Sequence, residues 1–559
     1  LAFVNLASSS TPLGLSPSHQ SFGAFTFLWA VTTLIHQLSF TFWAEFWPGW
    51  ALVVSAVAVI AQPSSLFRFV LLILASLVNL WTKLPFVPNH ILFEGMLHVT
   101  MLLACFSLPE CRKDVRRHLP RLRWFAIALG VKSAWALSPL ADNELTGAIT
   151  TVATVTAFGF VYRGLTESHR SEAGPDFLRR TAPVLRIALI LMYFWAAIQK
   201  MNVDYLNPEI SCAAVLHTEI AHYLPFVPIE RWALVGAIYG SFFFEIAIPL
   251  LLMWGRTRRL AFPVAILFHL WLAIHPAAGI YSFSSLILAM LFLFLPETDR
   301  TRLITLWEHL CCTVGRGDIP KGRKRAHRAV VYTFFAVLLT QGAMFLTIER
   351  SFAVFLQANR IGFAVFMVWG LWLSACYLLT LWRSRNEPPT LSYHLQWTPA
   401  SLGLLLVIAN GLSPWAGGKT QTSFSMYSNL RTEGETNHFF LRRQNWMPFQ
   451  QKLVTVTDSQ PINILEPTSK PRGIEQFANP GLTTLTQFEL RRQLSRLPED
   501  QPIRVEYLNL SDLTRHQVSR ENGKIVGDTA LFETIPWWQA KFLWFRRLDR
   551  LEGPMSCTH

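Results

Sequence analysis

Apolar positions in the first 413 residues run together in long blocks, broken by short polar clusters, instead of alternating or keeping to one helical face. A helix crossing the hydrocarbon core of a bilayer needs about 20 such residues. The blocks predict spanning helices near 22–42, 49–62, 65–82, 90–107, 124–139, 143–162, 184–200, 232–254, 260–275, 278–296, 328–346, 361–382 and 398–413. The second is short, and the fourth carries Glu94 and His98. Beyond residue 413 the period changes. KLVTVTD and IRVEYLNL read as strands, TQFELRRQLSRLP as a helix, and RHQVSRENGKIV sets Asn522–Gly523 between two strands, the signature of a type I′ hairpin. ETIPWWQAKFLWFRRL alternates aromatic with basic residues, which suits either a segment lying along headgroups or a packed strand. The expected fold class is an all-α polytopic membrane bundle of about 13 transmembrane helices, with a small α+β domain on the outer side at the C-terminus. The divisions expected are a polar segment 1–21, a membrane domain 22–296, a basic cytoplasmic loop 297–327, further transmembrane helices 328–413 and the outer domain 414–559.

Composition supports the membrane reading. Of 559 residues 52% are hydrophobic and only 15% charged, against about a quarter charged in soluble proteins. The formal charge of +14 suggests basic cytoplasmic loops, and no nucleic-acid module accompanies it. Residues 109–123 carry six Lys and Arg, 163–186 five, 255–259 three and 297–328 eight, while the alternate connections carry few. With thirteen spans, every basic connection falls on one side. The positive-inside rule then makes the N-terminus cytoplasmic and puts the chain after 413 on the outer, periplasmic or lumenal, side; the membrane expected is a bacterial inner membrane, with the C-terminal domain periplasmic. The Ser/Pro-rich start LASSSTPLGLSPSHQ lacks the pattern of a signal peptide. Seven cysteines show no metal-ligand spacing, and no metal is expected. Cys212 and Cys557 both fall on the outer side, so a disulfide between them is open to an oxidising compartment.

Ionisable residues within spans are costly and mark candidate sites. MYFWAAIQKMNVDYLNP ends an apolar helix on Lys200, with Asn202 and Asp204 following at once. Such a lysine either snorkels to the interface or, desolvated in a pocket, becomes a proton acceptor. Asn89–His90 lies at the same outer level, as an interfacial cap or as a partner for that lysine. Glu94 and His98 continue the face of His90 at i+4 and i+8. Glu245 sits mid-span and needs a partner, for a structural ion pair or for chemistry. His269 and His275 fall on different faces and do not form a metal pair.

Three stretches, FWAAIQKMNVDYLNP, FEIAIPLLLMWGRTRRLAFPVAILFHL and IYSFSSLILAMLFLFLP, together resemble the HTTM (horizontally transferred transmembrane) family, which includes vitamin K-dependent gamma-glutamyl carboxylase and bacterial relatives. GLSPWAGGKTQTSFSMYSNLRTEGETNHFFL is similar to a segment that bacterial members carry just after their last span. The resemblance implies a carboxylase-like lyase using a reduced quinone of the vitamin K type. Lys200 matches the family's base, His90 its assisting histidine and His269 the histidine of a corresponding Phe-His pair. Asn89, Trp195 and Glu245 are then expected around the quinone, and Arg431, Asn437 and His438 around a peptide substrate. This chain departs from the carboxylase in reading Gln199-Lys200-Met201-Asn202, where the carboxylase has a Lys-Lys pair followed by Leu-Asp. Its outer portion, 414–559, is also shorter than the carboxylase's lumenal portion.

AGGKT (416–420) is not a phosphate loop. Ser413 stands where the motif needs glycine, and the segment follows a membrane helix instead of a strand. Two functions stay open. One is a membrane enzyme that works on a secreted peptide at the outer face. The other is a non-catalytic subunit or scaffold in the bilayer that binds a partner protein through the C-terminal domain. A transporter is disfavoured, since no inverted repeat or pair of broken helices is evident.

Overall fold

The structure is a computed structural model that describes residues 16–39, 47–118, 171–275, 279–347, 352–385, 398–444, 446–461, 464–466, 482–549 and 553–557. Its helices are α1 (Pro17–Ser39), α2 (Trp47–Ala61), α3 (Leu66–Lys83), α4 (Asn89–Ser107), α5 (Pro109–His118), α6 (Gly174–Gln199), α7 (Cys212–Tyr223), α8 (Arg231–Met253), α9 (Arg258–Ala273), α10 (Ile280–Leu291), α11 (Glu297–Val314), α12 (Ile319–Thr347), α13 (Phe352–Arg383) and α14 (Leu402–Leu412). Two more, α15 (Gln487–Leu494) and α16 (Trp537–Phe542), follow in the C-terminal unit.

Among the described residues, five segments are long and apolar enough to cross a membrane, namely α3, α4, α6, α8 and residues Gln357–Arg383 of α13. Pro48–Ala61, Ile280–Phe294 and Pro399–Leu412 are shorter apolar helices. The protein is a helical membrane protein, and the expected thirteen spans are met in part. The predicted spans 124–139 and 143–162 lie outside the described residues. The expected basic loop 297–327 is instead a helical hairpin of α11 and the start of α12. Acidic Glu297 and Asp299 sit in the first turn of α11, where the helix dipole favours them. Arg323 bonds Glu308 across the hairpin at 2.6 Å. The two backbones meet at glycine: a Cβ on Gly322 would lie 1.6 Å from the Cys311 carbonyl oxygen.

The core of the bundle is α1. Most of its length is buried, including Thr26, Thr32, Thr33, His36 and Gln37, and it packs on α2, α6, α10, α11 and α13. A helix polar enough to be hydrophobic only in part must satisfy those groups against its neighbours. At the other extreme α8 is only 17% buried along its apolar window and touches α6, α7 and α9. Its outward face, with Trp232, Tyr239 and Phe243 exposed, suits lipid.

The C-terminal unit is a five-stranded antiparallel sheet in the order β2-β1-β3-β4-β5. The strands are β1 (Leu453–Gln460), β2 (Thr484–Thr486), β3 (Ile503–Asn509), β4 (Thr514–Glu521) and β5 (Lys524–Gly527). Asn522 and Gly523, with φ of 49° and 76°, form the hairpin turn between β4 and β5. Val454, Leu485, Val505 and Val518 from the sheet close over Leu490 and Leu494 of α15. Residues 419–440 form a loop, and one isolated bridge joins Asn202 to His438.

The loop and the C-terminal chain hold the sheet to one end of the bundle. Backbone N–H groups of Thr420 and Gln421 donate to the Trp544 carbonyl at 3.1 and 3.0 Å. Arg546 is 1% exposed; it donates to Ser425 Oγ at 3.1 Å and lies 3.8 Å from Glu433 Oε1. Cys212, at the start of α7, is bonded to Cys557, 345 residues away. Beside the bridge, Met555 N donates to Asp204 Oδ2 at 3.0 Å.

Cys557→Ser should cost about 2–4 kcal/mol and loosen the segment around Met555. Hydrogen–deuterium exchange at the Met555 N–H, which donates to Asp204, should then be faster in the variant than in the wild type. Equal exchange in both would show that the disulfide does not hold this segment.

Candidate functional site

The stretch 192–208 makes sense once its partners are seen. Helix α6 ends at Gln199 with Lys200 as its C-cap. Asn202 Nδ2 donates to the carbonyls of Gln199 (2.9 Å) and Ser428 (2.7 Å), and its Oδ1 accepts the N–H of Tyr205 at 2.8 Å. One asparagine thus satisfies a helix-terminal carbonyl and pins the loop to it. Asp204 Oδ2 accepts from Asn437 Nδ2 at 2.6 Å as well as from Met555 N. The polar run after the helix is a clasp for the loop and the C-terminus.

Lys200 turns the other way, into the bundle. Its Nζ lies 2.8 Å from Glu245 Oε1 of α8 and 5.8 Å from the centre of the Tyr205 ring. Both charged side chains are nearly buried, 6% and 13% exposed. Glu245 Oε2 is buried with no hydrogen-bond partner among the described residues. The pair forms the polar end of a cavity of about 520 Å³, a volume usual for a ligand site. Asn89, His90, Tyr205 and Ser241 are further polar residues of its lining, and Phe93, Met192, Phe244, Phe268 and Phe283 are among the apolar ones. Gly236 and Gly240 of α8 also face it, with no atom within 4 Å of where a Cβ would stand. A larger hollow of about 730 Å³ lies between α7 and α8. Its lining residues Glu209 and Arg231 are exposed, so it is open surface without a desolvated polar end.

The loop after α14 roofs the cavity. Phe424, Met426 and Tyr427 line it, and the Phe424 N–H donates to Asn89 Oδ1 at 2.6 Å. Thr422, Phe424, Tyr427 and Asn429 all have positive φ, between 51° and 66°. Such strain persists only where surroundings over-determine it, and it clusters at ligand clamps. Here the determinants are visible: Asn410 Nδ2 and Gln199 Nε2 hold the carbonyls of Thr422 (3.0 Å) and Ser423 (2.6 Å), and Asn429 Oδ1 accepts the N–H of Cys212 at 2.7 Å.

Lys200, His90, Asn89 and Glu245 therefore meet at one cavity. The partner given to Lys200 is Glu245, while His90 Nε2 is 2.5 Å from Ser282 Oγ of α10. His269 stands behind the wall: its Nε2 is hydrogen-bonded to Tyr193 OH, and its ring lies edge-on to Phe283, which does line the cavity. Trp195 packs against Gly411 of α14, where a Cβ would meet the indole at 2.2 Å. Arg431, Asn437 and His438 belong to the clasp. Arg431 Nε donates to the Glu433 carbonyl at 3.2 Å. His438 Nδ1 accepts the N–H groups of Phe440 and Leu441, so its Nε2 is the nitrogen that donates to the Ile198 carbonyl at 2.9 Å. Burial holds the His438 imidazole below its ordinary range, consistent with that neutral form. Sequence reading missed Tyr205 and the roof residues Phe424, Met426 and Tyr427. Their only sequence signal is proximity to Lys200 or membership in the FSMYSNL run.

Lys419, in the AGGKT stretch, is buried against the loop and donates to Thr422 Oγ1 at 3.1 Å. Desolvation lowers its ammonium to about 7.

Residues 174–297 match the family model of the HTTM domain. The match covers the three stretches that resemble this family in the sequence and holds Lys200, Tyr205, Glu245, His269 and Ser282, while Asn89, His90 and the roof lie outside it. No curated protein and no solved structure matches the chain.

The Lys419 environment sets a pH dependence. Between about 7 and the unfolded value of 10.5 the unfolded chain binds the proton and the folded chain does not, so this residue makes stability rise with pH across that window. Lys419→Met should remove that rise and stabilise the protein below pH 7 by an amount on the order of a few kcal/mol. Chemical denaturation from pH 6 to 10 measures it, and parallel profiles for variant and wild type would refute the assignment.

Proposed function

We propose that this protein is an integral-membrane enzyme of the carboxylase-like kind, which binds a reduced quinone in the cavity beside Lys200 and modifies a peptide presented at the end of the bundle beneath the C-terminal sheet. The observation that carries this reading is a buried Lys–Glu pair at the polar end of an otherwise apolar cavity. A charge pair in such a place is expensive to keep, and a packed apolar pair would serve stability as well or better. The cavity also fits the group. Its aromatic and aliphatic walls suit a ring with a hydrocarbon tail, and the buried Glu245 Oε2 is an acceptor that a ligand hydroxyl satisfies. With Trp232, Leu267 and Trp271 both lining the cavity and exposed on α8 and α9, entry is from the bilayer. The distribution of basic residues supports an orientation with this end of the bundle, and the C-terminal sheet, on the periplasmic side of a bacterial inner membrane.

A reduced quinone, when bound, supplies two electrons and an ionisable hydroxyl. The chain's own part is to handle the proton. Lys200 paired with a carboxylate is an ammonium and accepts nothing until it gives up a proton. Passing one from Nζ to Glu245 Oε1 across 2.8 Å leaves a neutral amine and a neutral acid. The neutral amine would be placed to accept a proton from a hydroxyl held at that end, after which Lys200 would again be an ammonium and Glu245 the neutral acid. An ammonium held there in a low-dielectric site stabilises negative charge far more than it does in water. In this scheme Lys200 is the base and Glu245 the proton's destination. His90 and Asn89 line the same cavity, with Asn89 tying the roof to α4.

Mass spectrometry of the lipids and quinones that co-purify with the protein tests this. Wild type should carry a quinone near stoichiometry. Gly240→Phe, which fills the cavity without touching a polar group, should lose it by tenfold or more on the order-of-magnitude scale of about 1.4 kcal/mol per decade. Lys200→Ala and Glu245→Gln should each lose oxidation of added reduced menaquinone-4 by dioxygen, supplied as the two-electron acceptor, and the double variant should be little worse than either, as for residues that act as a unit. Recovery of ordinary phospholipid alone from a preparation that still holds its native partners would favour a scaffold that binds another protein.

A further inference from the structure

The polar groups of the bundle do not stop at the cavity. Behind His90 a second set joins three helices that are remote in sequence. His36 of α1 lies with Nδ1 2.8 Å from Glu94 Oε2 of α4, and its Nε2 is 3.0 Å from the backbone carbonyl of Ser282 in α10. The hydroxyl of the same Ser282 meets His90 Nε2 at 2.5 Å. One turn deeper, Trp29 Nε1 donates to His98 Nε2 at 2.8 Å. Each of His36, Glu94, His90, His98 and Ser282 is 4% exposed or less.

Donor chemistry fixes most of the protons. A carbonyl only accepts, so His36 Nε2 carries hydrogen. An indole only donates, so His98 Nε2 is bare and cannot bond the Glu94 Oε1 that lies 3.7 Å away. That Oε1 has no hydrogen-bond partner among the described residues. Glu94 therefore has one strong partner, His36, and the two share a single proton between Nδ1 and Oε2. Whichever atom holds it, His36 keeps its hydrogen on the Ser282 carbonyl. Ser282 is gripped by His36 through its backbone and grips His90 through its side chain.

The geometry points to His36 and Glu94 as a positioning dyad for His90, acting through Ser282. This inference rests on the reading that the cavity is the ligand site, and it adds a role that neither His36 nor Glu94 could fill by contact, since neither lines the cavity. The logic is that of a carboxylate fixing an imidazole, with a serine inserted between the fixed imidazole and the one that faces the ligand. The chain of bonds ends at Glu94, because His98 Nε2 already accepts from Trp29 and has no hydrogen for Glu94 Oε1, so it orients and does not conduct protons across the bilayer.

The test uses the full chain with ¹⁵N-labelled histidine, reconstituted in lipid bilayers, and reads the imidazole nitrogens by solid-state NMR; His36→Asn and His90→Asn assign the two rings. Glu94→Ala should shift the His90 signals although Glu94 does not touch that residue. Glu94→Gln, whose amide can still donate to His36 Nδ1, should leave them near wild type. Affinity for reduced menaquinone-4 should follow the same order, falling about tenfold in Glu94→Ala, as for loss of one charge-assisted hydrogen bond, and holding in Glu94→Gln. If Glu94→Ala fails to insert, Glu94→Asp carries the test, because its shorter side chain draws the carboxylate away from His36 Nδ1 while His36 keeps its edge-on ring contact with His90, 5.7 Å between centres. An unmoved His90 signal in these variants would overturn the dyad, as would equal disturbance by alanine and glutamine at position 94. Menaquinone-4 that does not bind wild type, with the His90 shifts still as expected, would sink the cavity reading and leave the dyad standing.

Discussion

A polar side chain inside a bilayer has no water to turn to, so every one of them must be answered by another protein group. That constraint organises this bundle. It explains why α1, studded with Thr, His and Gln, is the central helix and not a peripheral one. It explains why Glu94 sits on His36, why Thr32 meets Ser285 at 3.1 Å, and why Tyr377 of α13 reaches the Leu288 carbonyl at 2.8 Å. Apolar contact alone gives helices in lipid little reason to choose a partner, and these bonds supply the choice. Lys200 and Glu245 obey the same rule but differ in where they obey it: at a cavity.

A second constraint acts at the end of the bundle. Loop, helix terminus and C-terminal chain converge on Asn202, Asp204, Asn429 and Asn437, each bonding more than one segment. This network holds the roof in a left-handed, strained path over the cavity. The sheet beyond it is built by ordinary alternation and has its own core. It is joined to the roof loop through buried charge, Arg546 lying 3.8 Å from Glu433, and to the bundle through Arg492, 5.7 Å from the centre of the Phe86 ring; within α15 Arg492 also lies 3.1 Å from Glu489, whose carboxylate accepts the Phe545 N–H at 2.8 Å. Burial raises that Glu489 carboxyl, and Arg492 works against the shift.

Much of the architecture was legible because its signals are local. Apolar block length announces a spanning helix, and Asn522–Gly523 announces its hairpin within six residues of sequence. The helical hairpin at 297–327 was not legible, because a run of basic residues says which side of a membrane it prefers and nothing of whether it is coiled. At the site, Lys200, His90, Asn89 and Glu245 could be singled out as polar groups in apolar surroundings. Which of them pair could not, since Glu245 lies 45 residues from Lys200 and the pairing depends on how α6 and α8 pack. His269 and Trp195 carry similar sequence signals yet stand behind or beside the cavity walls, because a helix presents its residues to several neighbours and sequence does not rank them. The roles of Arg431, Asn437 and His438 turned on the fold of an irregular loop, where no periodicity exists to read.

The account stands on a ligand whose polar end meets Lys200 and Glu245. The most direct measurement is a cryo-electron microscopy structure of the protein in a lipid nanodisc with reduced menaquinone-4 added. The account predicts ring-shaped density at the polar end of the cavity, within hydrogen-bond distance of Lys200 and facing His90, with a tail leading toward α8 and α9. Acyl-chain density alone in that space, with Lys200 still closed on Glu245 and nothing against either, would contradict it.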